Sequence, residues 1–137
     1  MLSEKERVEI KLQLIEHEGF KLKPYRCPAG KLTIGAGRNL EDKGLSREEA
    51  LYLLDNDIDE ALAHLSKKVY WDTLGSVRKR VLIDMVHNLG AAGFDAFKQL
   101  NAALILHDYE RAAVEMRDSR WYRQVGARSE KLAKMME

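Results

Sequence analysis

Glu18 and Cys27 are the side chains of this sequence whose positions first raise a question of chemistry. Glu18 closes an amphipathic stretch and stands directly before Gly19. Helices stop readily at glycine, and the unpaired carbonyl groups there carry the negative end of the helix dipole. An ionised carboxylate at that end is disfavoured by about 0.3–1 kcal/mol. A general acid benefits from such a field, because it must keep its proton until the reaction takes it. An exposed glutamate that simply tolerates its place is the other reading, and position alone leaves both open. Cys27 is the only cysteine of the chain, so it can form no intrachain disulfide and no cysteine metal cluster. On its own it reads equally well as a small apolar residue in a turn.

The elements that must hold these residues follow from local pattern. Ser3 with Glu6 forms a capping box, and Val8, Leu12 and Ile15 recur at helical spacing, which predicts a first helix over about 4–17. Both prolines, with Gly30, Gly35 and Gly37, fall between Phe20 and Gly37, where a helix would be costly. A hairpin is expected instead, with strands near 21–26 and 31–36 and the prolines on an exposed edge. Cys27-Pro28-Ala29-Gly30 suits a type I turn between them. A second helix opens at Ser46 with Glu49 and runs to about Lys67, with Leu51, Leu54, Ile58, Leu62 and Leu65 as its buried stripe. A third carries Val77, Val81, Met85 and Leu89 and ends at Gly90. Phe94, Phe97, Leu100 and Leu104 line a fourth, Asp108 caps a fifth, and Gly126 precedes a last one over about 127–136. The expected architecture is α+β, mostly helical, with one small sheet at one end.

Composition narrows the function classes. The 137 residues suffice for one domain, or for two small lobes sharing a helix. A formal net charge of +1 gives no strong field for nucleic acid or membrane. Arg78, Lys79 and Arg80, and the later Arg117, Arg120 and Arg123, read as solvated helix faces. The first residues lack the apolar core of a signal peptide, and no apolar run approaches the ~18 residues of a membrane span.

Glu18-Gly19-Phe20, Tyr25, Cys27, Gly30, Thr33-Ile34-Gly35 and Gly37 together resemble the active-site hairpin of the phage lysozymes of glycoside hydrolase family 24. The pattern of that family is Glu, eight residues, Asp or Cys, five residues, Thr, and Glu18, Cys27 and Thr33 have those intervals. The likeness continues. Val77-Arg78 through Met85-Val86, with Asn88 and Gly90, looks like the family's central helix. Ser119-Arg120-Trp121-Tyr122, with Gln124 and then Arg128, looks like its later aromatic segment.

The resemblance implies a single lysozyme-like domain over 1–137. A small β-hairpin lobe (about 19–45) would pack on a helical lobe (about 1–18 and 46–137), with the cleft between them. It implies Glu18 as proton donor, with Cys27 and Thr33 placing the attacking water. A thiol is a poor substitute for a carboxylate base, so Cys27 is left three roles: weak water placement, action as a thiolate, or nucleophilic attack. Arg128 matches an arginine beside the family's catalytic glutamate, and Asn88 matches a polar residue of its cleft. Asp84, one turn before Asn88, is placed to pair with Arg128. His87 is left out of the site, and Trp71 and Trp121 read as core aromatics. Two departures stand out: Arg38 occupies a position where a histidine ion pair holds the lower lobe of a well-known family member, and the loop 38–45 is short. The chain also stops before the family's usual tail, which leaves the docking of the last helix open.

The expected function is that of an endolysin, a muramidase cutting the β-1,4 bond between N-acetylmuramic acid and N-acetylglucosamine in bacterial peptidoglycan. A lytic transglycosylase and a non-enzymatic helical binding module are the alternatives. No metal or organic cofactor is implied. The expected partner is peptidoglycan, without nucleic acid or membrane insertion, acted on by a monomer. Such a protein would stay in the host cytoplasm, without signal peptide or anchor, until a separate membrane-pore protein released it.

Overall fold

Local hydrogen bonds fix both ends of the first helix. In the computed structural model, which describes residues 1–137, α1 runs Glu4–Glu18. The Glu6 N–H donates to Ser3 Oγ at 3.1 Å, and the Ser3 N–H donates back to Glu6 Oε1 at 3.2 Å. At the other end Gly19 takes φ 83°, and its N–H donates to the Ile15 carbonyl at 2.8 Å. Gly19 adopts this left-handed backbone without the penalty a side chain would bring.

The chain divides into two compact units, Met1–Leu51 and Tyr52–Glu137. The first contains α1, the sheet and the first turn of α2. Strands β1 (Lys21–Arg26), β2 (Leu32–Gly35) and β3 (Arg38–Asn39) form an antiparallel sheet in that order. The hairpin was expected; β3, two residues long, was not. Pro24 lies in the edge strand, where the pairing between Lys21 and Tyr25 shifts register, so its missing N–H costs the ladder little. The Gly30 N–H donates to the Cys27 carbonyl at 2.8 Å, closing the expected turn, and Gly30 takes φ 80°. A three-residue loop with glycine at its left-handed position is a common hairpin closure.

Helix α2 (Arg47–Leu65) begins with a second capping box: Glu49 N–H to Ser46 Oγ at 3.1 Å, and Ser46 N–H to Glu49 Oε1 at 2.8 Å. Its apolar stripe is buried only at the far end. Leu65 and Ala61 are buried and Ile58 and Leu62 half-buried, whereas Leu51 and Leu54 are exposed. Helix α1 likewise buries none of its side chains, including Val8 and Leu12. Helical spacing identifies which face is apolar; it does not say how much of that face another element covers.

The second unit holds the packed core. After a 3-10 turn at Trp71–Thr73 come α3 (Ser76–Asp95), α4 (Lys98–Ile105), α5 (Tyr109–Arg117), α6 (Arg120–Val125) and α7 (Ala127–Met136). Gly90 does break α3, with φ 78° and ψ 165°, but helix resumes as far as Asp95. Val81, Leu82, Met85, Phe94, Leu100, Leu104, Met116 and Met136 are fully buried, and Trp71 and Trp121 join them as expected of core aromatics. Phe97 meets Trp121 edge-to-face at 6.2 Å between centroids.

Helix α7 is firmly docked. Leu132, Ala133 and Met136 are buried, and the buried Ser129 hydroxyl donates to the Tyr122 carbonyl at 2.8 Å. Arg78 lies 3.8 Å over the Tyr109 ring and donates to the Met136 carbonyl at 2.7 Å. Arg117 makes a two-pronged pair with Glu130 at 2.8 and 3.1 Å. Neither arginine belongs to a merely solvated face; both tie earlier helices to α7. Lys79 is also engaged, 5.1 Å from the Trp71 ring centre.

Two of these carboxylates make the fold acid-sensitive. Glu49 is held down to about 2, first by Arg38 and then by the Ser46 backbone and hydroxyl. Glu130 is held at about 2 by Arg117 and next by the Tyr122 hydroxyl. Both lie below the ordinary value of 4.5, so their stabilisation is complete above that pH and drains as pH falls towards 2. Urea unfolding between about pH 6 and pH 2 should show this loss, and the double variant Glu49→Gln, Glu130→Gln should flatten it. The slope should weaken at high salt because the pairs are partly exposed. A parent curve as flat as the variant's would mean that the pairs do not persist in solution.

Candidate active site

The first unit positions three of the expected site residues. Glu18 ends α1, and the turn at Gly19 leads the chain directly into β1. The Glu18 side chain is exposed, and its carboxyl lies against the backbone of Gly37: a Cβ added there would fall 2.9 Å from Glu18 Oε2. Thr33 sits on the central strand, opposite Tyr25 on one side and Asn39 on the other, and is only 4% exposed. Its hydroxyl is 2.8 Å from the Lys31 carbonyl, to which it donates.

Cys27 opens the hairpin turn and is half-buried. Its N–H donates to the Lys31 carbonyl at 3.0 Å. The Lys31 backbone, and less strongly the Ala29 backbone and the Thr33 side chain, hold the thiol below its ordinary value against the opposing effect of burial. Cys27 and Thr33 meet at the Lys31 carbonyl, which accepts from both the Cys27 N–H and the Thr33 hydroxyl.

Arg38 restores a hold that the sequence left in doubt. Its guanidinium grips Glu49 at 2.9 and 2.6 Å and also donates to the Gly44 carbonyl at 3.1 Å. Where a histidine pair was not transferable, an arginine pair fastens β3 to the start of α2. The Ser46–Glu49 capping box was legible in sequence; that the same Glu49 also receives Arg38 was not.

The second unit carries the other expected residues. Arg128 Nη2 lies 3.8 Å from Asp84 Oδ1, so the expected pair forms loosely, with both side chains about half exposed. These two, with Arg80, His87 and the apolar Leu54, Ile58 and Ile83, line an open groove of about 420 Å³. His87, set aside in the sequence, belongs to this lining. Asn88 accepts the Trp121 indole N–H on its carbonyl at 3.1 Å, which leaves its amide hydrogens for another partner.

A small antiparallel hairpin unit bearing a glutamate at a helix end, joined to a unit of packed helices, is an α+β arrangement of the lysozyme type. The chain belongs to the phage lysozyme family, which it matches over residues 15–136. It is 31% identical over 121 residues to an endolysin of Acyrthosiphon pisum secondary endosymbiont phage 1, covering 83% of this chain and 76% of that protein. It is 25% identical over 150 residues to the probable T4-type lysozyme 2 of Dictyostelium discoideum, covering 88% of each. It is 26% identical over 144 residues to the pre-baseplate central spike protein Gp5 of Enterobacteria phage T4, where the match takes in 84% of this chain but spans only 25% of the spike protein. No helix of the structure is long and apolar enough to cross a membrane.

Proposed function

We propose that this chain is a muramidase of the endolysin kind, hydrolysing the β-1,4 bond between N-acetylmuramic acid and N-acetylglucosamine in bacterial peptidoglycan. Glu18 gives its proton to the glycosidic oxygen as the bond to the leaving sugar lengthens. Cys27 and Thr33 hold a water for the anomeric carbon on the opposite face; as it adds, one of its protons stays on the new anomeric hydroxyl and the other passes to bulk solvent or, where Cys27 is a thiolate, to the sulfur. Asp84, Asn88 and Arg128 support substrate binding, Asn88 through its free amide hydrogens. The enzyme acts as a monomer and reaches the wall through a separate membrane-pore protein.

The observation that carries this reading is the meeting of the buried Thr33 hydroxyl and the Cys27 N–H at the Lys31 carbonyl, in the same compact unit as Glu18. Digestion of purified peptidoglycan, followed by mass analysis of the soluble fragments, tests it. Hydrolysis gives muropeptides with a free reducing end. Anhydro ends, lighter by one water, would instead make the chain a transglycosylase, and an intact wall would make it a binding module.

Arg128→Ala should separate binding support from stability. An exposed pair at 3.8 Å contributes about 0–1 kcal/mol, so the melting temperature should hardly move. Turnover on peptidoglycan should nonetheless fall. A variant equal to the parent in turnover would remove Arg128 from the site.

A further inference from the structure

Gly37 is one of seven glycines with a left-handed backbone, and it differs from the other six. A Cβ built on Gly19, Gly30, Gly35, Gly90 or Gly126 meets nothing within 4 Å, and one on Gly44 meets only the Leu40 carbonyl at 3.9 Å. At Gly37 it would stand 2.9 Å from Glu18 Oε2 and 3.2 Å from both Cδ and Cγ of the same side chain. Glycine is therefore required twice here, once for φ 80° and once for space. The space is occupied by the carboxyl of one particular residue.

We propose that Gly37 is the positioning residue for the Glu18 carboxyl: its bare backbone is the wall against which that carboxyl rests, so any side chain at 37 displaces the carboxyl. This rests on the reading of Glu18 as proton donor. The atoms in the way are the free end of a flexible side chain, so Glu18 yields and the backbone stays. The contact therefore has little leverage on stability and a large one on geometry. Proton transfer depends on placing the carboxyl within hydrogen-bond reach of the glycosidic oxygen, and a misplacement of about 1 Å costs as much as 10²-fold.

The test compares Gly37→Ala with Gly44→Ala, which suffers left-handed strain in the same unit but lies outside the proposed site. Gly37→Asn accompanies them, because asparagine tolerates the left-handed backbone while still adding a Cβ. The two alanine variants should lose similar amounts of melting temperature. Only the Gly37 variants should lose kcat, by about tenfold or more, with KM within about twofold of the parent. The Glu18 side-chain carboxyl resonance in carbon-13 NMR, assigned with Glu18→Gln, should move in Gly37→Ala and Gly37→Asn and stay in Gly44→Ala. An unmoved resonance, or a kcat loss no larger than that of Gly44→Ala, overturns the proposal. If the resonance moves but Glu18→Gln keeps its turnover, the contact is real, the donor assignment is wrong, and the catalytic role of Gly37 falls with it.

Discussion

Glu18→Gln should fold like the parent and degrade peptidoglycan at least ~10²-fold more slowly, the lower end of what a positioned proton donor contributes. The substitution keeps the shape and both hydrogen-bonding ends of the side chain while removing the transferable proton. The structure offers little reason for instability: Glu18 is exposed, and the helix end is held by the Gly19 N–H on the Ile15 carbonyl. A neutral side chain also relieves the unfavourable placement of a carboxylate at the negative end of α1. The melting temperature should therefore stay level or rise slightly while turnover collapses. Clean Glu18→Gln protein with a large fraction of parental turnover would sink the assignment of the donor.

Cys27 decides between mechanisms, and its surroundings make the substitutions informative. The backbone at Lys31 and Ala29 and the Thr33 hydroxyl stabilise negative charge on the sulfur. The same groups would receive a carboxylate, and aspartate is favoured at the first position of such a turn. Cys27→Asp should thus fold well and keep or raise activity, because a carboxylate, ionised at neutral pH, accepts a water proton better than a thiol does. Cys27→Ala should lose about 10²-fold, again the low end for general acid–base chemistry, and trap no intermediate. In both active proteins the product should have inverted configuration at the new reducing end, as a water placed opposite the donor requires. A nucleophilic cysteine predicts the reverse: retained configuration, an accumulating glycosyl thioether, and no activity in Cys27→Asp unless the carboxylate attacks in its place. Proton NMR of a soluble glycan early in hydrolysis reads the configuration directly. Retention would replace the role of Cys27 without touching that of Glu18.

The basic clusters bear on the non-enzymatic alternative. Arg78 and Lys79 read from the sequence as part of a solvated face, yet Arg78 is committed to Tyr109 and the Met136 carbonyl, and Lys79 lies by Trp71. A cation already paired inside the fold contributes little to releasing counterions from a nucleic acid.

Features that depend on neighbours along the chain were legible without a structure. The capping boxes at Ser3 and Ser46, the turn from Cys27 to Gly30 and the Asp108 cap all appear where local chemistry put them, because each closes through hydrogen bonds spanning only a few residues. The spacing of Glu18, Cys27 and Thr33 carried the family for the same reason, since a hairpin converts fixed intervals into fixed places. Apart from the loose Asp84–Arg128 pair, which the family resemblance suggested, what depended on distant partners was not legible. The apolar stripe of α2 reads as one continuous surface, but its burial fades from Leu65 to Leu51. Arg38 gave no sign of Glu49, Arg117 none of Glu130, and the carboxyl resting on Gly37 left no trace in composition or period. Those pairings are set by which elements the folded chain brings side by side. A one-dimensional pattern records what a residue can offer, and only tertiary packing assigns the partner that takes it.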